Sequence, residues 1–412
     1  MDPDKVIRFR DCTILRNGSL IKEDLWIRNG KILDPEPLFF DEQRSADINV
    51  YCPFIISPGF IETQINGAFG VDFTSCTADN IKAGLDLVRK GILRHGVTSF
   101  CPTVITSSPD NYHQILPHIK RDPGGPHGAE ILGLHLEGPF INVSKKGAHR
   151  SEFIQSEMLD GMGYVEAVYG NLSNVSIITM APELNGALKT IEQLAQKGIV
   201  VSLGHSGANI ELAEEAVHRG ASSMTHLFNA MPPFHHRDPG MIGLIAQSAT
   251  GAVPQVFYGM IPDGIHTHAA SLKIAYRTHP RGVVLVTDGI SAMGLSEGFH
   301  LLGGSKLHIS GNRAVIAGTE TLCGSIATMD RCIRYFLKAT DCTVEQALES
   351  ATLHPAQMLH IEHRKGTLSF GSDADFVVLD NQLSVLATFI AGECVWQGDT
   401  FPSPVLPFPI IA

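Results

Sequence analysis

Apolar and polar residues alternate in short runs over the first fifty positions, and each run stops at a turn signal. Val6-Ile7-Arg8-Phe9, Thr13-Ile14-Leu15 and Asp24-Leu25-Trp26-Ile27-Arg28 are such runs, the second and third closed by Asn17-Gly18 and Asn29-Gly30. Asn-Gly tolerates the positive φ of a tight hairpin, so this segment predicts short antiparallel strands. Residues 374–380 and 385–392 repeat the pattern near the other end. Both ends are therefore expected to build one small β domain.

Between them the period changes. Apolar strand-like segments at 54–63, 97–103, 131–137, 175–181, 199–205, 221–226, 255–261 and 283–288 alternate with helical stretches such as 80–95, 184–198, 210–220 and 269–278. Eight buried strands, each followed by a helix or long loop, predict a (β/α)8 barrel of the TIM type. An open doubly wound sheet is the alternative, but no strand runs into a Gly-x-Gly-x-x-Gly turn that opens a helix. The expected division is a β-sandwich domain from residues 1–56 and 366–412 around a barrel at 57–365.

Composition narrows the function. The chain has 412 residues, 44% hydrophobic and 18% charged, enough apolar matter for a sizeable core. Its formal net charge is -11, and Lys and Arg never cluster beyond a pair, which excludes a nucleic-acid backbone binder. A small anionic substrate remains compatible, because one or two local cations override a weak overall field. The first residues lack the apolar centre of a signal peptide, and no run of about 18 apolar residues exists to cross a membrane. The eight cysteines are scattered without a Cys-x-x-Cys pair, as expected for reduced thiols in a cytoplasmic protein. The Pro-rich tail at 401–412 is expected to pack on its own β domain or on a neighbour.

Polar residues gather where the expected strands end, the rim on which barrel enzymes build their sites. In order they are Gln64, Thr103, Glu137, His205, His226, Asp263 with His266, and Asp288. Glu137, His205 and His226 supply one carboxylate and two imidazoles, three ligands that leave a position open for water. A divalent ion so held lowers the pKa of water from roughly 16 to about 7. Taken singly, a histidine at a strand end is more often a hydrogen-bonded structural residue; the three together on one rim point to a metal.

Asp288 follows the apolar run Val283-Val284-Leu285-Val286, a costly place for an unpaired carboxylate. It suits a general base and acid, the alternative being a loop cap. His149, after Lys145-Lys146-Gly147-Ala148, suits polarisation of a carbonyl, the alternative being a solvated basic loop. Arg237 and His266 are candidate donors to an anion such as phosphate, with Asn229 and the amide of Ala230 as neutral donors. For Arg237 the competing reading is a surface arginine.

The motifs Gly59-Phe60-Ile61-Glu62-Thr63-Gln64-Ile65-Asn66-Gly67, His135-Leu136-Glu137-Gly138-Pro139-Phe140, Gly204-His205-Ser206, Thr225-His226-Leu227-Phe228-Asn229-Ala230-Met231, Asp263-Gly264-Ile265-His266 and Thr287-Asp288-Gly289 resemble the amidohydrolase superfamily. The resemblance covers nearly the whole chain. It is strongest to the branch that deacetylates a phosphorylated amino sugar, and it implies hydrolysis of N-acetyl-D-glucosamine 6-phosphate to D-glucosamine 6-phosphate and acetate in amino-sugar catabolism. Much of the superfamily carries His-x-His on the first strand, where this chain has Gln64-Ile65-Asn66. Neutral amides are poor ligands for a borderline metal and suit hydrogen bonds to sugar hydroxyls or water, so the resemblance implies one divalent metal per chain. Zinc is favoured, and iron, cobalt or manganese are compatible.

Carried onto matching positions, the resemblance implies Glu137, His205 and His226 as metal ligands, Asp288 as base and acid, and His149 on the acetamide carbonyl. Gln64, Asn66, Ala148, Asn229, Ala230, Arg237, His266 and a loop of Leu322, Cys323 and Gly324 would surround the sugar phosphate. It further implies a homodimer in which the arginine reaches the partner's site. Cys323 departs from the small residue expected there, and His235-His236 before Arg237 is unusual. Two other readings are a different amidohydrolase reaction, such as cyclic amide opening or deamination, and a silent barrel serving as a scaffold. The lost His-x-His pair counts against the first, and the intact polar set against the second.

Overall fold

In the computed structural model, residues 4–302 and 305–401 are described. The Pro-rich tail from 402 onward lies outside them. Eight parallel strands form the barrel, Phe60–Ile65, Val97–Ile105, Leu134–Glu137, Val175–Met180, Val200–Leu203, Ala221–Met224, Phe257–Met260 and Val283–Leu285, and a ninth short strand, Glu130–Ile131, pairs in parallel with Val97–Ile105 in the same sheet. Each barrel strand pairs with the next in order, from Phe60–Ile65 beside Val97–Ile105 to Tyr258↔Val283 at the far end. The expected barrel is therefore present, with its strands almost wholly buried as helices cover the outside. Helix Ile81–Gly91 buries Ile81, Leu85 and Val88, one stripe at helical spacing, and Asn209 caps helix Ile210–His218 by accepting from the Leu212 amide.

The seam between the first and last strands has no ladder. One isolated bridge joins Ile65 to Gly289, and the Asn66 amide donates to Gly289 O at 2.8 Å. Lower down, Ser350 and Ala351 wedge in, accepting from the Leu285 and Ile61 amides at 2.9 Å each. The barrel is nearly closed, and its mouth is closed by different means from its base.

Among the expected strands that overrun the observed ones, three extend into residues of the candidate site. The ladder stops at Leu203, Met224 and Leu285, short of His205, His226 and Asp288, whose φ values are 49°, 29° and 47°. A side chain in the left-handed region turns the chain out of the pleat, and periodicity alone does not register that turn.

The small domain joins both chain ends. Its six-stranded sheet runs Glu393–Gln397, Val385–Ile390, Phe376–Leu379, Ile55–Pro58, Thr13–Arg16, Ser19–Lys22, and a four-stranded sheet runs Lys31–Ile32, Leu25–Arg28, Ile7–Arg10, Ile48–Tyr51. Phe9 meets Phe376 and Phe389 edge-on at 5.2 and 5.3 Å in the core they share. The single strand expected at 54–63 is two: Ile55–Pro58 lies in the small domain and Phe60–Ile65 opens the barrel. Gly59 makes the passage, since a Cβ there would lie 2.1 Å from the Thr98 hydroxyl.

Not anticipated from sequence is a four-stranded antiparallel sheet after the last barrel strand, Gly298–Leu302, Ser305–Ser310, Arg313–Ile316 and Leu322–Gly324. Leu322, Cys323 and Gly324, expected as a loop, form its last strand, with Val315 opposite Leu322. Barrel and small domain are also tied by charge. Arg364 pairs with Glu130 at 2.6 Å and Asp373 at 3.0 Å. Buried Lys365 contacts Asp375, and Glu130 at 2.8 Å.

Candidate metal centre and active site

Glu137 ends the third barrel strand with its side chain buried, and its Oε1 is a point of convergence. His205 Nε2 lies 2.9 Å from it and His226 Nε2 3.1 Å, the two ring nitrogens being 3.1 Å apart. His149 Nε2 approaches to 3.8 Å. Ligand atoms on a tetrahedral metal with bonds of about 2.0–2.1 Å are separated by roughly 3.3 Å, so Glu137, His205 and His226 have that spacing. Glu137, His149 and His205 also lie within 4.8 Å of one another, which leaves His149 as the outer member of a four-residue cluster.

The hydrogen bonds around the cluster say what belongs in its centre. His205 Nδ1 is 2.8 Å from the Lys145 carbonyl, which can only accept, so Nδ1 carries the hydrogen and the Nε2 lone pair faces a carboxylate oxygen. Two lone pairs at that distance require a proton or a metal cation between them. Burial, with the charge of His226 in support and the Glu137 hydrogen bond opposed, lowers the His205 pKa, so a proton is disfavoured there. The residues fit a divalent cation.

His226 differs. Burial opposes its charge, yet the hydrogen bond and charge of Glu137 raise it to about 9. Its buried Nδ1 has no hydrogen-bond partner among the described residues. Burial likewise works against the Glu137 carboxylate, but the neighbouring imidazoles of His149, His205 and His226 hold its pKa well below the ordinary range.

Asp288 stands at the edge of the cluster without being part of it. Asn66 Nδ2 donates to its Oδ1 at 2.8 Å, and Gln64 Nε2 at 3.3 Å. Gln64 Nε2 also donates to Glu137 Oε2 at 3.1 Å. Gln64, on strand one, thus sits between the two carboxylates, and Asn66, just past the strand, holds Asp288 alone. Burial and then the Glu137 charge raise the Asp288 pKa, which strengthens it as a proton acceptor.

The remaining candidates are spread more widely. His149 is fixed by Thr106, whose Oγ1 lies 2.6 Å from Nδ1. His266 Nδ1 meets Asp263 Oδ2 at 2.6 Å, and although burial opposes its charge, this partner raises its pKa. Asn229 is half-buried and Ala148 exposed, and Ala230 takes a φ of 54°. Arg237 sits on an exposed loop, its backbone amide donating to His235 Nδ1 at 3.3 Å, and has no contact with the cluster among the described residues. Sequence reasoning passed over Thr106, Glu62 and Thr287. The signal for Glu62 was available: Glu62, Gln64 and Asn66 are spaced by two, one face of a strand.

Residues 55–395 match the amidohydrolase family. The N-acetylglucosamine-6-phosphate deacetylases of Bos taurus and Homo sapiens are each 56% identical to this chain, over 95% and 96% of it and 96% and 97% of their own lengths. The chain belongs to the N-acetylglucosamine-6-phosphate deacetylase family of amidohydrolases. In three dimensions it is similar to a mutant N-acetyl-D-glucosamine-6-phosphate deacetylase from Mycobacterium smegmatis, solved in complex with N-acetyl-D-glucosamine-6-phosphate. The TM-score is 0.77 at 29% identity, covering 95% of this chain and 99% of that one.

Proposed function

We propose that this chain hydrolyses the acetamide of N-acetyl-D-glucosamine 6-phosphate, giving acetate and D-glucosamine 6-phosphate, with one divalent metal held by Glu137, His205 and His226. The carrying observation is the convergence of two imidazole Nε2 atoms on one carboxylate oxygen, at 2.9 and 3.1 Å. Family membership supplies the substrate. Two histidines and one carboxylate suit zinc first, with iron, cobalt or manganese set by supply. When bound, the metal supplies Lewis acidity, acidifying a water and polarising the acetamide carbonyl.

The protein supplies position and proton transfer. Asp288, steadied by Asn66 and Gln64, takes the proton of the attacking water and returns it to the sugar nitrogen as the C–N bond breaks, so its carboxylate is regenerated. With Nδ1 accepting from the Thr106 hydroxyl, His149 presents an Nε2 hydrogen to the acetamide oxygen. His266, its pKa raised by Asp263 against the effect of burial, serves the phosphate with Asn229, the Ala230 amide, Ala148 and the strand Leu322–Gly324. The exposed position of Arg237, clear of its own cluster, supports a homodimer in which it serves the neighbouring subunit's site. Eight free cysteines support a reducing, cytoplasmic setting. Among the described residues no helix is long and apolar enough to cross a membrane.

The test is acetate release by the purified protein, with metal analysis. Turnover of the phosphorylated sugar with about one metal per chain is expected. Equal catalytic efficiency on N-acetylglucosamine would remove the phosphate subsite from the reading, and no acetate from either sugar would overturn it.

A further inference from the structure

Glu62 is 1% exposed on the first barrel strand, two residues before Gln64 on the same face. Nothing in the chemistry above uses it. Its Oε1 accepts from the Gln64 amide at 2.9 Å and its Oε2 from the Thr287 amide at 3.0 Å. One oxygen thus holds strand one and the other holds strand eight, at the seam where no ladder joins them. The next amide along, Asp288 N, donates to Gln64 O at 2.9 Å. Consecutive amides entering the left-handed turn at Asp288 are therefore both held from strand one, the first by a side chain and the second by backbone.

Resting on the deacetylase reading, we infer that Glu62 is a positioning residue for Asp288: its carboxylate clamps the Thr287 and Gln64 amides and so fixes the turn that holds the base beside the metal centre. The clamp calls for two acceptors facing two donors. Gln at this position turns an NH2 group toward one of the two amides, and Asp, one methylene shorter, does not span the same gap. Burial works against the Glu62 charge and raises its pKa, opposed by the hydrogen bonds of Thr287 and Gln64, so a buried carboxylate is a costly way to hold a seam. The expense falls where a strained residue is used chemically, as expected of a functional constraint.

A kinetic double-mutant cycle separates positioning from mere stability. Glu62→Gln is expected to lower kcat roughly 100-fold, with KM within about threefold and metal content at the wild-type level. In an Asp288→Asn background the same change should cost almost nothing more, because a misplaced base that is already absent has no further effect. Losses that multiply across the two sites, or a Glu62→Gln variant that loses metal, would overturn the inference. If Glu62→Gln does not fold, Glu62→Asp carries the same cycle, and failure of both to fold assigns Glu62 a structural role and also overturns it. Wild-type protein that releases no acetate refutes the deacetylase reading itself, which an active wild type with multiplying losses does not.

Discussion

Two clusters of charged and titratable groups, one buried and one part-buried, differ in where their cation comes from. At the barrel mouth, Glu137 faces imidazoles, and the spacing of Glu137 Oε1, His205 Nε2 and His226 Nε2 leaves a lone pair against a carboxylate. Between the domains, Glu130, Asp373 and Asp375 also bring carboxylate oxygens within 4.8 Å of one another. There the chain provides Lys365 and Arg364, which lie among them at hydrogen-bond distance. An acidic cluster that contains its own ammonium and guanidinium is a lock between two domains. One whose basic groups are imidazoles, with no ammonium or guanidinium of its own, can take an ion from outside. Both gather candidate ligand atoms within 4.8 Å of one another; donor chemistry distinguishes them.

The largest expected effect lies at the mouth. His205→Ala removes the proposed ligand that faces Glu137 Oε1, and metal content and turnover should disappear together, read by metal analysis and acetate release. Retention of a full metal equivalent would transfer that ligand role to His149. Next comes Asp288→Asn, which keeps shape but removes the proposed proton acceptor. Turnover should fall roughly 100- to 10,000-fold while metal stays bound; loss of the metal would make Asp288 a ligand instead.

The lock should respond in the opposite way. Lys365→Met leaves Asp375 buried against an uncharged side chain and should cost about 3–5 kcal/mol of stability, measured by denaturant unfolding, with kcat per folded molecule unchanged. A fall in kcat at full folding would mean that the domain junction reaches the active site. The smallest effect is the acid response of this junction. Burial works against the Glu130 and Asp373 carboxylates, but partners outweigh it: Arg364 and Lys365 hold Glu130, and Lys31 with Lys365 holds Asp373, below the ordinary range. Groups with depressed folded values stabilise above their unfolded pKa and lose that contribution as pH falls through the folded one. Asp375, raised by burial, acts in the reverse sense and lessens the change. The unfolding midpoint should therefore decline modestly below about pH 4, and a Glu130→Gln variant should decline less.

The eight-strand alternation, the β character of both ends and the row of polar residues closing the strands were legible in the chain itself. Apolar runs at strand and helix period leave few ways to bury their surface, and chemistry on a barrel collects where strands end. Only tertiary structure decided three other matters. The turn at Gly59 that splits one apolar run between two domains depends on Thr98, thirty-nine residues later in the chain. The sheet ending at Leu322–Gly324 replaces an expected loop because its pairing depends on neighbours, which local composition does not contain. The way Asp288 is held rests on Glu62, Gln64 and Asn66 reaching across a seam without ladder bonds. Periodicity reports which face of an element is buried, because burial acts residue by residue. It does not report a clamp between the two ends of a barrel, because the amides of Thr287 and Asp288 meet their acceptors on strand one only once the barrel has closed.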